Sequence, residues 1–127
     1  MSGDALDDGL TLRARHVSRD IVLVEIGGEL DMQTVPRALS LLMQVTASIP
    51  RHLILDLSDV TFLASSGLTL LIAAQSDRDG IHGQLHLLGV HGNRPVENPL
   101  RMVGLLERFD VAPDLNTLLA ALTRSHP

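Results

Sequence analysis

The segment Leu53-Ile54-Leu55-Asp56-Leu57 constrains this chain more than any other. A half-buried strand alternates apolar with polar residues, whereas this run is almost continuously apolar. Such a strand is covered on both faces, which favours an α/β sheet over an open antiparallel one. The flanking patterns agree. Leu10, Leu12 and Ala14 alternate with Thr11, Arg13 and Arg15, the period of a half-buried strand whose outward arginines suit a sheet edge. Ser18-Arg19-Asp20 reads as a turn and Ile21 to Ile26 as a second strand, so the fold opens with a hairpin. Gly27-Gly28-Glu29-Leu30-Asp31 is expected to break regular structure. Val35, Ala38, Leu39, Leu42, Val45 and Ile49 then recur at helical spacing and predict an amphipathic helix from about Thr34 to Ser48. Pro36 fits its first turn and Pro50 ends it.

Beyond the apolar run, Leu68 to Ala74 is a dense helical block that continues through Asp79 and stops at Gly80. Gln84 to Val90 is the next strand, and His91 to Pro99 a loop rich in breakers. Asn98-Pro99 supplies the cap and first-turn proline of a helix with Met102, Leu105, Leu106 and Phe109 on one face. Leu115, Leu118, Leu119 and Leu122 form a clean stripe for a terminal helix, with Asp114 placed to oppose its dipole. The expected fold is therefore α/β: a small mixed β-sheet with an N-terminal hairpin and about four packed helices. A length of 127 residues suits one domain, residues 10–124. Met1 to Gly9 reads as a disordered lead-in. It is acidic, without the basic start or apolar middle of a secretory signal, and no stretch approaches the roughly 20 apolar residues of a membrane span. A soluble, cytoplasmic domain is the expectation.

Composition narrows the chemistry. Aromatic residues are 2% of the chain, with no Trp or Tyr, so the core is aliphatic and stacking on bases is nearly unavailable. Zero cysteines exclude disulfides, thiolate metal sites and thiol nucleophiles. The formal charge is -5 and no lysine occurs, which is not the electrostatic footprint of a nucleic-acid binder. Met32, Met43 and Met102 read as core filler. No cofactor or metal is implied. Gly27-Gly28 lacks the continuation of a dinucleotide fingerprint, and no G-x-x-x-x-G-K-[ST] occurs. His82, His86 and His91 lack metal-ligand spacing and read as surface or edge residues. Asp56 and Asp59 bracket Leu57-Ser58; paired acids can bind a cation, and turn formation explains them equally.

The most informative residues are Ser65-Ser66-Gly67, where the exit of the buried strand meets a helix start. Either serine can be an ordinary N-cap, with Gly67 allowing close backbone approach. Alternatively, a serine here is a phosphoacceptor. Phosphate adds about -1.5 to -2 charges, which the positive end of the helix dipole accommodates. The fold survives such a modification, but a partner docked over the turn meets a new dianion. A serine hydrolase using Ser65 or Ser66 is the weaker alternative. Ala64-Ser65-Ser66-Gly67 is not the G-x-S-x-G elbow, and no spacing marks a base or an orienting acid.

Three blocks in order, Gly28-Glu29-Leu30-Asp31, then Leu53 to Leu63, then Ser65-Ser66-Gly67-Leu68, resemble the STAS family, found in bacterial anti-sigma factor antagonists and sulfate transporter tails. The resemblance runs from about Leu10 to Leu122. With no transporter region attached, the chain looks like the stand-alone antagonists. The resemblance implies a protein without catalytic activity that binds an anti-sigma factor, itself a GHKL-type serine kinase, and so frees a sigma factor in a stress response. It implies phosphorylation by that kinase on the first serine of a D-S-S-G motif, which falls here on Ser65, and reversal by a PP2C-type phosphatase. The aspartate of G-E-L-D, near the acceptor in the family, falls on Asp31. The implied contact surface is Asp31, Ser65, Ser66, Gly67, Leu68 and Thr69, with the exposed side of the helix to Asp79; nucleic acid and membrane are not partners. Two positions depart from the family: Ala64 replaces the usual acid before the acceptor, and Thr69 a frequent glycine. Loss of the acid leaves room for another reading, a STAS module that binds constitutively or senses a ligand, with Ser65 only a helix cap.

Overall fold

The computed structural model describes residues 8–124. Its elements are β1 (Leu10–Ser18), β2 (Ile21–Leu30), α1 (Val35–Val45), β3 (His52–Leu63), α2 (Ser65–Gly80), β4 (Gln84–Leu88), α3 (Arg94–Met102), a single 3-10 turn (Leu106–Arg108), β5 (Asp110–Val111) and α4 (Leu115–Arg124). One five-stranded sheet has the order β1-β2-β3-β4-β5. The hairpin β1–β2 is antiparallel, and every later pairing is parallel. This is the mixed α/β fold with four helices that the patterning predicts.

The run Leu53 to Leu57 in β3 is covered on both faces. Leu53, Leu55 and Leu57 enter the main core with Val22, Val24, Ala38, Leu42, Leu71 and Leu100. Ile54 points the other way, into a smaller cluster with Leu23, Leu88, Leu118 and Leu122 under α4. Each buried leucine or isoleucine contributes about 1.5–3 kcal/mol; the polar residues among them have partners, the buried His52 facing His86 and the half-buried Asp56 accepting from Ser58.

Several expectations shift. β2 does not break at Gly27 but continues to Leu30, with register irregularities against β3 at Glu25/Gly27 and Gly28/Glu29. Gly28 has φ +93°, and a Cβ there would lie 1.7 Å from the Gly9 carbonyl oxygen; the glycine lets the strand pass through a bulge where others would end it. The expected lead-in falls mostly outside the described residues, but its last two are tied down. Asp8 accepts from Leu10 N–H at 3.1 Å and pairs with Arg37 on α1 at 2.9 Å. The Arg37 hydrogen bond holds its carboxyl below the usual aspartate range. The Gly9 carbonyl accepts from Glu29 N–H.

α3 begins at Arg94, inside the expected loop, with Pro95 in its first turn and Pro99 in its interior. Asn93, not Asn98, precedes the helix, and its side chain donates to the Leu57 carbonyl at 2.9 Å instead of capping it. The expected face of Met102, Leu105, Leu106 and Phe109 is interrupted: the helix ends at Met102, and the rest lies in the 3-10 turn and before β5. Met32, Met43 and Met102 are exposed rather than core. β1 is the edge strand, but only Leu10 is buried and Ala14 is exposed.

Candidate functional site

The end of β2 and the start of α2 meet at one junction. Leu30 and Leu63 are register partners, and so are Glu29 and Phe62 one step before. Leu30 and Leu63 point into the core, whereas Glu29 and Phe62 point outward. The Leu30 carbonyl then accepts from Ala64 N–H at 2.9 Å, which fixes the chain entering α2 against the chain leaving β2. Gly67 completes the join. A Cβ on it would lie 2.5 Å from Leu63 Cδ1 and 3.1 Å from both the Cβ and the carbonyl oxygen of Leu30, so only glycine lets the first turn of α2 sit so close.

Asp31 follows Leu30 and opens the turn that leads into α1. Its Oδ1 accepts from Gln33 N–H at 2.9 Å and Thr34 N–H at 3.0 Å. Thr34, fully buried, reciprocates: its hydroxyl accepts from Asp31 N–H at 3.0 Å and donates to the Glu29 carbonyl at 2.7 Å. This is the reciprocal logic of a capping box, satisfying the free N–H groups ahead of α1. Sequence reading found Asp31 but missed Thr34, whose spacing of three from Asp31 was the available signal.

α2 starts differently. Ala64 is its N-cap residue, extended at φ -82°, ψ 174°, and no side chain caps the helix. Neither Ser65 nor Ser66 is therefore the cap that local pattern suggests. Ser65 is exposed at the first helical position, and none of its side-chain atoms bonds to a described residue. Ser66 Oγ is buried without a hydrogen-bond partner, so of the two hydroxyls only that of Ser65 is open to another protein. Thr69, exposed one turn on, donates to the Ser65 carbonyl at 3.1 Å. Leu68 is half-buried against the main core. The structure thus gathers Asp31, Ser65 and Gly67 at one junction, exposes Thr69, and turns the hydroxyl of Ser66 inward. Two exposed apolar residues that sequence reading did not place here, Met32 and Phe62, belong to the same junction.

The histidines lie elsewhere. His52 and His86 are both buried, correcting the surface or edge reading of His86. His52 Nδ1 and His86 Nε2 are 3.0 Å apart, and His86 Nδ1 meets an Asp110 carboxylate oxygen. His91 is exposed, 3.4 Å from Glu97. The bonds of His86 and His91 run to His52, Asp110 and Glu97, not to Ser65 or Ser66. Asp56 Oδ1 accepts from the N–H and hydroxyl of Ser58, local bonding of the turn type within β3. Among the described residues no three His, Asp or Glu side chains could hold a metal ion, and no helix is long and apolar enough to cross a membrane.

A family model of the STAS domain matches residues 13–118. The chain belongs to this family. One relative of this STAS chain, the anti-sigma-F factor antagonist RsfB of Mycobacterium tuberculosis, is 36% identical over 104 residues, covering 81% of this chain and 80% of the relative. A crystal structure of an anti-sigma factor antagonist from Mycobacterium paratuberculosis superposes with a TM-score of 0.77 at 29% identity, over 91% of this chain and 96% of that one. The unphosphorylated form of SpoIIAA, at 19% identity, shares the STAS fold with a TM-score of 0.71 over 89% of this chain and 97% of its own.

Proposed function

We propose that this STAS domain is an anti-sigma factor antagonist whose binding is switched off by phosphorylation of Ser65. In this reading the partner is a cytoplasmic anti-sigma factor that is also a GHKL-type serine kinase, and occupying it frees a sigma factor. The kinase transfers the γ-phosphoryl group of ATP to Ser65 Oγ. The P–O bond to ADP breaks, a P–O bond to Oγ forms, and the hydroxyl proton leaves to a base. A PP2C-type phosphatase returns the phosphoryl group to water. The contact surface is Asp31, Ser65, Ser66, Gly67, Leu68 and Thr69, with the outer side of α2; Ser66 and Gly67 contribute backbone and shape.

The observation that carries this reading is an exposed serine hydroxyl at the first position of α2 that the fold does not use. A cap serine would be occupied by backbone N–H groups, whereas Ser65 can be modified without costing the helix a bond. The helix dipole accommodates the dianion, so modification changes the surface and leaves the fold intact. The antagonist names of the relatives support the partner class. Incubation with the anti-sigma-F factor of M. tuberculosis and ATP, read by intact mass, should add one phosphate to the chain and none to Ser65→Ala. Ser65→Asp should bind that factor at least about tenfold more weakly than the unsubstituted chain. Unchanged binding of both variants would refute the switch.

Ala64 favours a second reading, in which the module binds constitutively or senses a ligand, because the motif lacks its acid at this position. Phosphate confined to Ser65 in the mass experiment eliminates it.

A further inference from the structure

This chain has two aromatic residues, both phenylalanine. Phe109 is in the core, but Phe62 is 51% exposed at the end of β3, three residues before Ser65. Met32 is 81% exposed in the turn that Asp31 and Thr34 lock. Neither position is loose. Phe62 is paired in register with Glu29, and the next pair, Leu30 and Leu63, is anchored in the core. The Met32 turn leaves from Leu30, whose carbonyl holds Ala64. Single exposed apolar side chains are ordinary; two of the largest, on the two segments that meet at the junction carrying the exposed Ser65, are not.

The charges that adjoin them are acidic: Glu29 is the register partner of Phe62, and Asp31 directly precedes Met32. The complementary partner therefore offers an apolar centre with a cation at its rim, opposite the exposed Glu29.

Resting on the reading of Ser65 as the switch, we infer that Met32 and Phe62 are the apolar anchors of the partner interface, and that phosphate acts chiefly by placing a dianion in their water-excluded seat. Desolvation of a dianion in an apolar contact is unfavourable whatever the salt concentration, whereas repulsion between exposed charges is screened. Flexible Met and rigid Phe are suited to filling such a seat, since both bring large apolar area.

The test is equilibrium binding to the anti-sigma-F factor of M. tuberculosis. Met32→Ser and Phe62→Ser should each weaken binding about tenfold or more. Met102→Ser, at a methionine as exposed as Met32 but at the end of α3, should stay within about twofold. Melting curves check that each variant folds. Raising the salt concentration should not restore binding of Ser65→Asp. Two results overturn the inference while leaving the switch standing: Met32→Ser and Phe62→Ser binding like the unsubstituted chain while Ser65→Asp does not, or high salt rescuing Ser65→Asp. If the unsubstituted chain does not bind, the proposed function falls and this inference with it.

Discussion

α1 and α2 are entered beside one another, on either side of the Leu30 carbonyl; neither N-cap side chain bonds into its own helix, but the approaches to the two helices differ. Ahead of α1, Asp31 and Thr34 satisfy one another and the free backbone groups with four hydrogen bonds, at 2.9, 3.0, 3.0 and 2.7 Å. At α2, an alanine occupies the cap position and the adjacent serine hydroxyl faces outward. A helix end without a cap gives up about 1 kcal/mol. The contrast separates two jobs: one terminus is committed to holding the junction together, and the other is held by its neighbour and left chemically available. Backbone fit replaces the missing cap, since Ala64 N–H bonds to Leu30 and Gly67 removes the side chain that would push the helix away.

If backbone fit is what secures α2, filling the gap at Gly67 should have the largest effect. Gly67→Val forces side-chain atoms into Leu63 and the Leu30 carbonyl and should destabilise the domain by roughly 3 kcal/mol. Urea unfolding measures this directly, and a loss below about 1 kcal/mol would mean the helix can slide away from β2. Thr34→Val comes next. It keeps the shape but strips the hydroxyl, orphaning the Glu29 carbonyl and Asp31 N–H in a fully buried position, and should cost about 2 kcal/mol. Thr34→Ser should recover most of that loss. Equal destabilisation by both variants would show that the methyl group, not the hydroxyl, is what the site needs.

The same contrast explains what could be read from sequence. The covered run of β3 and the stripe of α4 were legible because burial enforces each along a single element, and the hairpin because its alternation and turn are local. The junction was legible as Ser65-Ser66-Gly67 and Asp31, but its mechanics were not. The carbonyl of Leu30, the gap at Gly67 and the burial of Thr34 arise from β2 and α2 meeting across more than thirty intervening residues. Gly27-Gly28 misled for the same reason. Locally the pair reads as a break, and only the approach of Gly9 shows it to be a bulge inside a strand. His52 and His86 are 34 residues apart and meet only because β3 and β4 are neighbours. The methionines were misplaced because an apolar side chain says that burial is available, not that it occurs.

Ala64→Asp places an acid ahead of α2, as Asp31 stands ahead of α1, and tests whether the start of α2 is open by design. The extended conformation at position 64 suits a capping side chain, so the carboxylate should gain about 1 kcal/mol by accepting backbone N–H bonds. It also restores the acid that the family usually carries before the acceptor. Faster phosphate incorporation, measured by mass with the same kinase, would assign that acid a role in presenting Ser65. Gain in stability without gain in rate would confine it to capping.

The smallest effect is expected at a third helix start, where no function is in view. Asp114 accepts from Thr117 N–H at 2.7 Å and Thr117 Oγ1 at 3.1 Å ahead of α4, and these bonds, the backbone one first, hold its carboxyl below the usual range. The folded state therefore prefers the ionised form. The stabilisation is present above the unfolded aspartate value of about 3.9 and is lost as pH falls through the lower folded value. Asp114→Ala should lower the melting temperature slightly near neutral pH and converge with the unsubstituted chain in strong acid. A gap that persists in acid would mean that Asp114 holds α4 by packing rather than by charge, and a hydrogen-bonded approach would then distinguish α1 alone from α2.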